Sequence, residues 1–458
     1  MEFGYYFKGK KVTVMRIGLL GRGIGDAAYM AEAGAEVLVV DDASAEVMQP
    51  AVDTLKEYTN ITFKFGPYDN ADFENRDFIL VGAGAPFDLP CLLHAHEVGV
   101  PLMQSAALFA ELSKIPIIGV TGTRGKSTVT GMIHYVLSQV TGEKILLGGN
   151  IRGVSNLQLL KEVHEDSVCV MELDSWQLQG FGWAEISPQV AVFTNFMEDH
   201  LNYYSKGGKS KEEAMELYFK DKAQIFLHQD ESGTLVATPE VFEWIKKVFP
   251  NLHLGQEVKL TDASIIPEEA LLSMPGEHNR LNAALAYQAL EALRLSEEEI
   301  FAGLATFKGV EGRLQYVGVT EKGVRIYNDN NATTPQATAA GIKAVGMVEK
   351  KNVVLIAGGA DKGIDSTPLT EAIFSFCKQV VLTPGTGTEA LLEELNKSDF
   401  TDFLVVEDLK MAVEEAVLAA EAGDIILFSP AFASFAQYKN EYERNDEFLG
   451  LVNEFVSL

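Results

Sequence analysis

The sequence predicts an α/β protein of three domains, and three observations carry that prediction. Short apolar runs alternate with helix-length segments from end to end, the pattern of parallel sheets covered on both faces. Two glycine-rich turns, one near residue 21 and one near residue 122, each follow an apolar run and open a helical segment. A length of 458 residues, 47% of them hydrophobic and 22% charged, suits several buried cores.

The first block, residues 1–112, opens with a strand from Lys11 to Leu20 and the turn Gly21-Arg22-Gly23-Ile24-Gly25. A helix through Ala33 and a second strand, Glu36 to Val40, follow and end at Asp41-Asp42. This is a dinucleotide-type βαβ opening, so the domain reads as Rossmann-like. Asp26 stands where the third glycine of Gly-x-Gly-x-x-Gly falls, so the fingerprint is incomplete, and a carboxylate there is suited to cap the helix. A Rossmann-like layer that binds nothing stays open on this pattern. The block closes with a helix from Ala106 to Leu112, and Ser113 to Pro116 forms the joint.

The second block, residues 113–309, begins with the apolar run Ile115 to Val120 and the stretch Gly119-Val120-Thr121-Gly122-Thr123-Arg124-Gly125-Lys126-Ser127-Thr128. Glycines there let backbone N–H groups point at an anion. Lys126 can reach the outer phosphates of a nucleotide, the Ser127 hydroxyl can ligate Mg²⁺, and the following helix adds its positive end. Counted from Gly122 the spacing is Gly-x-x-Gly-Lys-Ser, shorter than Gly-x-x-x-x-Gly-Lys-Ser; the expectation is a P-loop ATPase-type domain on a parallel sheet that takes ATP or GTP, with a strand-turn-helix that binds no nucleotide as the alternative. Val168 to Leu173 is a buried strand carrying the lone acid Glu172, placed to hold Mg²⁺ beside the loop. Another apolar run, Val190 to Phe193, delivers Asn195 through His200; His200 is either a second metal ligand oriented by Asp199 or a satisfied polar residue. The block ends with an amphipathic helix from Leu281 to Leu295.

The third block, residues 310–458, returns to βα units. Val324 to Tyr327, Asn352 to Ala357, Gln379 to Leu382, Phe403 to Val406 and Asp424 to Phe428 predict a second, smaller parallel sheet.

A net charge of −28 makes the chain repel nucleic acid and anionic membranes. A polyanionic substrate therefore needs locally focused cations, Mg²⁺ or helix N-termini. Cys91, Cys169 and Cys377 lie far apart in apolar or helical contexts and read as buried free thiols of a reducing cytosol. No signal-peptide pattern and no membrane-spanning stretch is found.

Across all three blocks the motifs Gly122–Thr128, Gly148-Gly149-Asn150, Glu172 through Leu178, Asn195 through His200, Pro275-Gly276-Glu277-His278-Asn279, Gly312-Arg313, Asn328-Asp329 and Ser429 through Phe435 occur in one order. In this the whole chain resembles the Mur ligases. The resemblance implies a cytoplasmic, ATP-dependent, amide-forming enzyme of peptidoglycan-precursor synthesis, acting as a monomer on UDP-N-acetylmuramoyl-L-alanine and glutamate, in the D form, through an acyl phosphate. It implies ATP contacts at Gly122, Thr123, Arg124, Gly125, Lys126, Ser127 and Thr128, with Asn279, Arg313 and Asp329 around adenosine. It implies two Mg²⁺ ions, one on Ser127 and Glu172 and one on His200 and Lys222, the latter carbamylated because an ammonium has no lone pair to give. Without the family, Lys222 in Tyr218-Phe219-Lys220-Asp221-Lys222 reads as an exposed helix lysine. Lys126, Glu172, His200 and Lys222 are the implied catalytic set; Ile24, Gly25, Asp41, Gly84, Asn150 and His200 are the implied UDP-substrate contacts, and Lys362, Ser434 and Phe435 the glutamate contacts.

The chain departs from the family pattern at three places: Arg124 for asparagine, Asn330-Asn331 for Ser-Lys, and Glu441 for an aromatic residue. They bear on the amino acid added, so a relative using L-glutamate or another amino acid is the rival reading. A nucleotide binder that has lost ligation is the rival of another class; it has no use for a second metal site.

Overall fold

The computed structural model describes residues 3–142 and 144–457, and these contain three sheets. The N-terminal one is built from β1 (Lys11–Met15), α1 (Arg22–Glu32), β2 (Glu36–Asp41), α2 (Ala45–Leu55), β3 (Ile61–Phe65), β4 (Phe78–Val81), α3 (Pro90–Glu97), β5 (Leu102–Met103) and α4 (Ser105–Ser113). Its order is β3-β2-β1-β4-β5 and its pairings are parallel. Two boundaries differ from expectation. The strand stops at Met15 because Arg16 and Gly18 take positive φ (55° and 66°), which no strand accommodates. The glycine turn is largely helix: α1 begins at Arg22, after Gly21 at φ 90°, so Gly23, Ile24 and Gly25 lie in its first turn.

The central sheet has the order β11-β10-β9-β6-β8-β7, again with parallel pairings. Its elements are β6 (Ile117–Thr121), α5 (Lys126–Val140), β7 (Ile145–Gly149), α6 (Asn156–Leu159), β8 (Val168–Glu172), α7 (Ser175–Trp183), β9 (Val190–Phe193), α8 (Leu201–Tyr204), α9 (Lys211–Ala223), β10 (Thr234–Ala237), α10 (Pro239–Val248) and β11 (Glu257–Leu260). Strands β6 and β9 are buried at every position, which is why they read as continuous apolar runs. The helices α11 (Glu277–Ala292) and α12 (Glu297–Thr306) follow, the first starting four residues earlier than its apolar periodicity indicates.

The C-terminal sheet comprises β12 (Gln315–Thr320), β13 (Arg325–Asn328), α13 (Pro335–Val345), β14 (Val353–Gly358), α14 (Thr367–Phe376), β15 (Cys377–Thr383), α15 (Thr386–Asn396), β16 (Phe403–Val405), α16 (Leu409–Ala419), β17 (Ile425–Phe428), α17 (Glu441–Val452) and β18 (Val456–Ser457). It is not the smaller sheet expected. Seven strands run β16-β15-β14-β17-β13-β12-β18, and β12 pairs antiparallel with both β13 and β18. These two strands escaped the sequence reading because β12 is only partly buried and β18, at the edge, is two residues long.

The chain divides into two compact units, Met1–Ile265 with Asn282–Ile300, and Ile266–Leu281 with Phe301–Leu458. One apolar core in the first unit runs from Phe7 to Ile245, so the N-terminal and central sheets are packed together. Among the described residues no helix is long and apolar enough to cross a membrane.

Candidate active site

The carboxyl edge of the central sheet carries the phosphate loop. Strand β6 lies between β8 and β9, and the loop 122–125 leads from its end into α5. Gly122 takes φ 144°, and a Cβ there would lie 1.9 Å from Thr194 Oγ1, so only glycine fits. The loop is held from the next strand: Asn195 O accepts from the Thr123 N–H (3.0 Å), Asn195 Oδ1 from the Arg124 N–H (2.8 Å), and the Thr194 hydroxyl donates to Arg124 O (2.5 Å). Two loop N–H groups are thus spent on the scaffold. Anion binding falls to the first turn of α5, ahead of the first helical bond from Val129 N–H to Gly125 O. The Lys126 ammonium lies back over the loop, donating to Gly122 O (3.0 Å) and Thr123 O (3.1 Å). The Arg124 side chain is exposed.

Around this loop the structure gathers Glu172, His200 and Lys222. Glu172 ends β8 in register with Val120 and Gly149 and is buried. His200 takes φ 54° at the start of α8; its ring packs on Trp176 (4.6 Å between centroids) and Tyr218 (5.8 Å), and its N–H donates to Asp199 Oδ1 (2.9 Å). Burial pushes the His200 imidazole below its ordinary pKa, and Lys222 and Lys126 reinforce that shift against Asp199. A neutral ring has the lone pair that metal ligation requires.

Lys222 is not the exposed helix lysine of the plain reading: it is 1% exposed. Its Nζ donates to Gly122 O (2.8 Å) and sits 4.9 Å from the centre of the Tyr218 ring. Burial lowers its pKa well below the lysine value, the Lys126 charge adds to the effect, and Asp174, Asp199 and Glu172 oppose it. Among the described residues no three His, Cys, Asp or Glu side chains form a metal cage. Ser127, Glu172 and His200 supply one donor each, which suits Mg²⁺ that takes its remaining ligands from phosphate and water.

In the N-terminal sheet the strand order reverses between β1 and β4, and a cavity of about 250 Å³ opens at their carboxyl ends, lined by Arg16, Gly18, Arg22, Gly82, Ser105 and Asn156 among others. Such a crevice is where open α/β sheets take ligands. Asp41 ends β2, its carboxylate accepting from Ala43 N–H (3.0 Å), and Gly84 at φ 82° lies near Trp176. Gly25 has a packing reason: a Cβ there would lie 2.5 Å from Ser155 Cβ. Asp26 does not cap its own helix. It is fully buried within α1, and Oδ1 accepts from Ser155 Oγ (2.6 Å) and Leu157 N–H (3.0 Å), receiving the start of α6 instead. Asn150 accepts a hydrogen bond from Arg22, a residue the sequence reading passed over.

The C-terminal unit, taken by itself, holds the remaining positions. Asn279 is buried and donates to Pro275 O (2.8 Å), and Arg313 is half-buried. The Asp329 carboxylate turns inward, accepting from Ser429 Oγ (2.9 Å) and Leu314 N–H (3.0 Å); burial pushes its pKa up to about 7. The Lys362 ammonium donates to Thr333 Oγ1 (2.9 Å), Ser434 is buried, and Phe435 is 72% exposed. Backbone bonds between Ala360 and Ala433 in both directions hold the 358–360 and 429–435 loops together.

The departure at Asn330 has a physical account. Its Oδ1 accepts from Arg444 Nε (2.8 Å) and its Nδ2 donates to Glu441 O (2.9 Å). Arg444 is buried, its pKa lowered to about 10 by desolvation. No sequence signal marked Arg444, because the run Glu441-Tyr442-Glu443-Arg444 reads as a solvated helix face.

Fold and site define an α/β protein of the phosphate-loop class, with a buried amine beside the loop and a crevice sheet in front of it. The chain belongs to the Mur ligase family. Residues 120–254 match the Mur ligase middle domain, and residues 312–432 match the family described as Mur ligase, glutamate ligase domain. The UDP-N-acetylmuramoylalanine–D-glutamate ligase of Clostridioides difficile (strain 630) is 31% identical over 466 residues, spanning 97% of this chain and 99% of that protein. The ligase of the same name from Roseiflexus sp. (strain RS-1) is also 31% identical, over 98% and 99%. The solved UDP-N-acetylmuramate–alanine ligase of Thermotoga maritima shares the fold, with a TM-score of 0.60 at 20% identity over 97% of this chain and 99% of that one.

Proposed function

We propose that the chain joins D-glutamate to UDP-N-acetylmuramoyl-L-alanine at the expense of ATP, releasing ADP and phosphate, as a monomer in the cytoplasmic stage of peptidoglycan-precursor synthesis. The observation that supports this most is the meeting of the phosphate loop, Glu172, neutral His200 and buried Lys222 at one sheet edge. Full-length relatives bearing the D-glutamate ligase name add to it.

The alanyl carboxylate attacks the γ-phosphorus, the bond to ADP breaks, and an acyl phosphate forms. The glutamate amine then attacks the acyl carbon, and phosphate leaves as the tetrahedral intermediate collapses. Negative charge builds in both steps, so the chain's part is to aim cations and N–H donors at the transferring group. Lys126, released from its two loop carbonyls, reaches the β/γ-phosphates, while the first turn of α5 holds their oxygens. Mg²⁺ bound at Ser127 and Glu172, and at His200, would offset the phosphate charge. Lys222, whose burial lowers its pKa well below the lysine value, would add CO₂ through its unprotonated form and lose a proton to give a carbamate, and its two oxygens would be the donors offered to a second Mg²⁺. Asn279 and Arg313 serve adenosine, with Asp329 bracing the strand end beside them; Lys362, Ser434 and Phe435 serve glutamate; Ile24, Gly25, Asp41, Gly84 and Asn150 frame the UDP substrate.

The test is phosphate release with UDP-N-acetylmuramoyl-L-alanine and a panel of D-glutamate, L-glutamate, lysine and diaminopimelate. Turnover with D-glutamate alone is expected. Turnover with another member moves the chain within the family, and ATP hydrolysis indifferent to both co-substrates overturns the ligase reading.

A further inference from the structure

Three elements carry the groups gathered at the phosphate loop, and one carboxylate oxygen joins them. Lys222 lies in α9, His200 opens α8, and Glu172 ends β8, which passes through Leu173 and Asp174 into α7. Asp221, the residue before Lys222, accepts at Oδ2 from the Tyr204 hydroxyl of α8 (2.9 Å) and from Gln179 Nε2 of α7 (2.6 Å). Helix α8 depends on this meeting most. It has four residues, too few to stand without tertiary support. His200 ahead of it sits at φ 54°, and Gly207 and Gly208 beyond it take φ 77° and 78°, so neither flank is regular backbone. Tyr204 is buried, its ring centre 5.2 Å from that of Tyr218, and its N–H donates to the His200 carbonyl (3.2 Å). A continuous path therefore runs from the His200 main chain through the Tyr204 side chain to Asp221, and from there by one peptide bond to Lys222.

We infer that Asp221 is a positioning residue of the metal site: through Oδ2 it sets the spacing between His200 on α8 and Lys222 on α9, and ties both to the helix that follows Glu172. The inference rests on the functional reading above and adds a residue to it. Successive side chains on a helix point about 100° apart, so Lys222 can face Gly122 while Asp221 faces Tyr204 and Gln179. Hydrogen bonds to a carboxylate are roughly twice as strong as those between neutral groups, which suits a pin shared by three helices. Mg²⁺ demands near-ideal octahedral geometry, so a small drift of α8 weakens the hold of His200 on it.

The experiment uses the full chain and its Asp221→Ala, Asp221→Asn and Tyr204→Phe variants. Mn²⁺ is titrated by EPR in the presence of a non-hydrolysable ATP analogue, with steady-state kinetics alongside. Asp221→Ala and Tyr204→Phe should weaken Mn²⁺ binding about tenfold and lower kcat about tenfold or more, while KM for UDP-N-acetylmuramoyl-L-alanine and D-glutamate stays within about twofold. Asp221→Asn keeps an oxygen that accepts from both donors and should remain within about threefold of wild type in both measurements. Mn²⁺ affinity unchanged in Asp221→Ala or in Tyr204→Phe overturns the inference. So does an Asp221→Asn variant as impaired as Asp221→Ala, which would make the charge the cause, or a rise in KM shared by every substrate, the mark of a merely structural role. Tyr204→Phe removes one hydroxyl and keeps the ring against Tyr218, so it carries the test if Asp221→Ala does not fold. Wild-type turnover on the amino-acid panel decides the functional reading separately, because the Mn²⁺ titration needs no ligation.

Discussion

Lys222 Nζ and Lys126 Nζ donate to the same atom, the carbonyl oxygen of Gly122, at 2.8 and 3.0 Å. Two amines converging on one neutral acceptor cannot both carry full charge cheaply, and Lys222 is the one whose pKa burial lowers well below the lysine value, with the Lys126 charge adding to the effect. A neutral amine is also the form that reacts with CO₂. Lys222→Ala should therefore lose more than about a hundredfold in kcat, the scale on which removing a preorganised electrostatic group is felt. Acetate or propionate should restore part of it by placing a carboxylate where the carbamate stood, and the wild type should lose activity in CO₂-depleted buffer. An unrescued variant with undiminished turnover would remove the carbamate from the mechanism.

Arg124 invites the idea that it replaces the lysine missing at Asn331. The geometry argues otherwise: its N–H and carbonyl are tied to Asn195 and Thr194, while its side chain points to solvent. Arg124→Asn should leave kcat and KM for ATP within about threefold, since an exposed charge contributes roughly 0–1 kcal/mol. A tenfold rise in KM for ATP would assign the side chain to phosphate.

The legible parts of this chain were those in which one local rule decides. Val168–Glu172 and Val190–Phe193 read as strands because parallel strands buried on both faces are apolar without interruption. The phosphate loop was legible because its glycines answer to backbone geometry, as the contact between Gly122 and Thr194 shows. Residues whose roles depend on distant partners were not. Asp26 looks like a helix cap until Ser155 and Leu157 are seen against it, and Arg22 looks like a solvated turn residue until Asn150 accepts its hydrogen bond. The inward turn of Asp329 depends on Ser429, 100 residues away. Burial of Lys222 on α9 was invisible because that helix shows almost no amphipathic pattern, its faces being covered by α7, α8 and α10.

Asp26 and Gly25 form the joint between α1 and α6, so their replacement should be felt in stability. Asp26→Ala strands the Leu157 N–H and the Ser155 hydroxyl in a buried setting, at a cost of about 2–3 kcal/mol. Gly25→Ala drives a methyl to 2.5 Å from Ser155 Cβ and should cost about 1–3 kcal/mol. Urea unfolding of the two variants is the check. A loss under about 0.5 kcal/mol in both would mean that this joint does not hold the two sheets together.

Asp329 sets a pH dependence with a definite sign. Its carboxyl titrates at about 7 in the folded chain, raised by burial, against an ordinary value of 3.8. Between those values the folded state holds a proton that the unfolded state has released. The stability it contributes is therefore complete below the unfolded pKa and is lost as pH rises through about 7. Asp329→Asn keeps an acceptor for Leu314 N–H and cannot ionise, so it lacks that dependence. The urea midpoint of wild type relative to the variant should then fall between pH 5 and pH 8, with the wild type relatively stronger in acid. An offset equal at both pH values would mean that Asp329 stays ionised in the fold, with Ser429 and Leu314 compensating its charge.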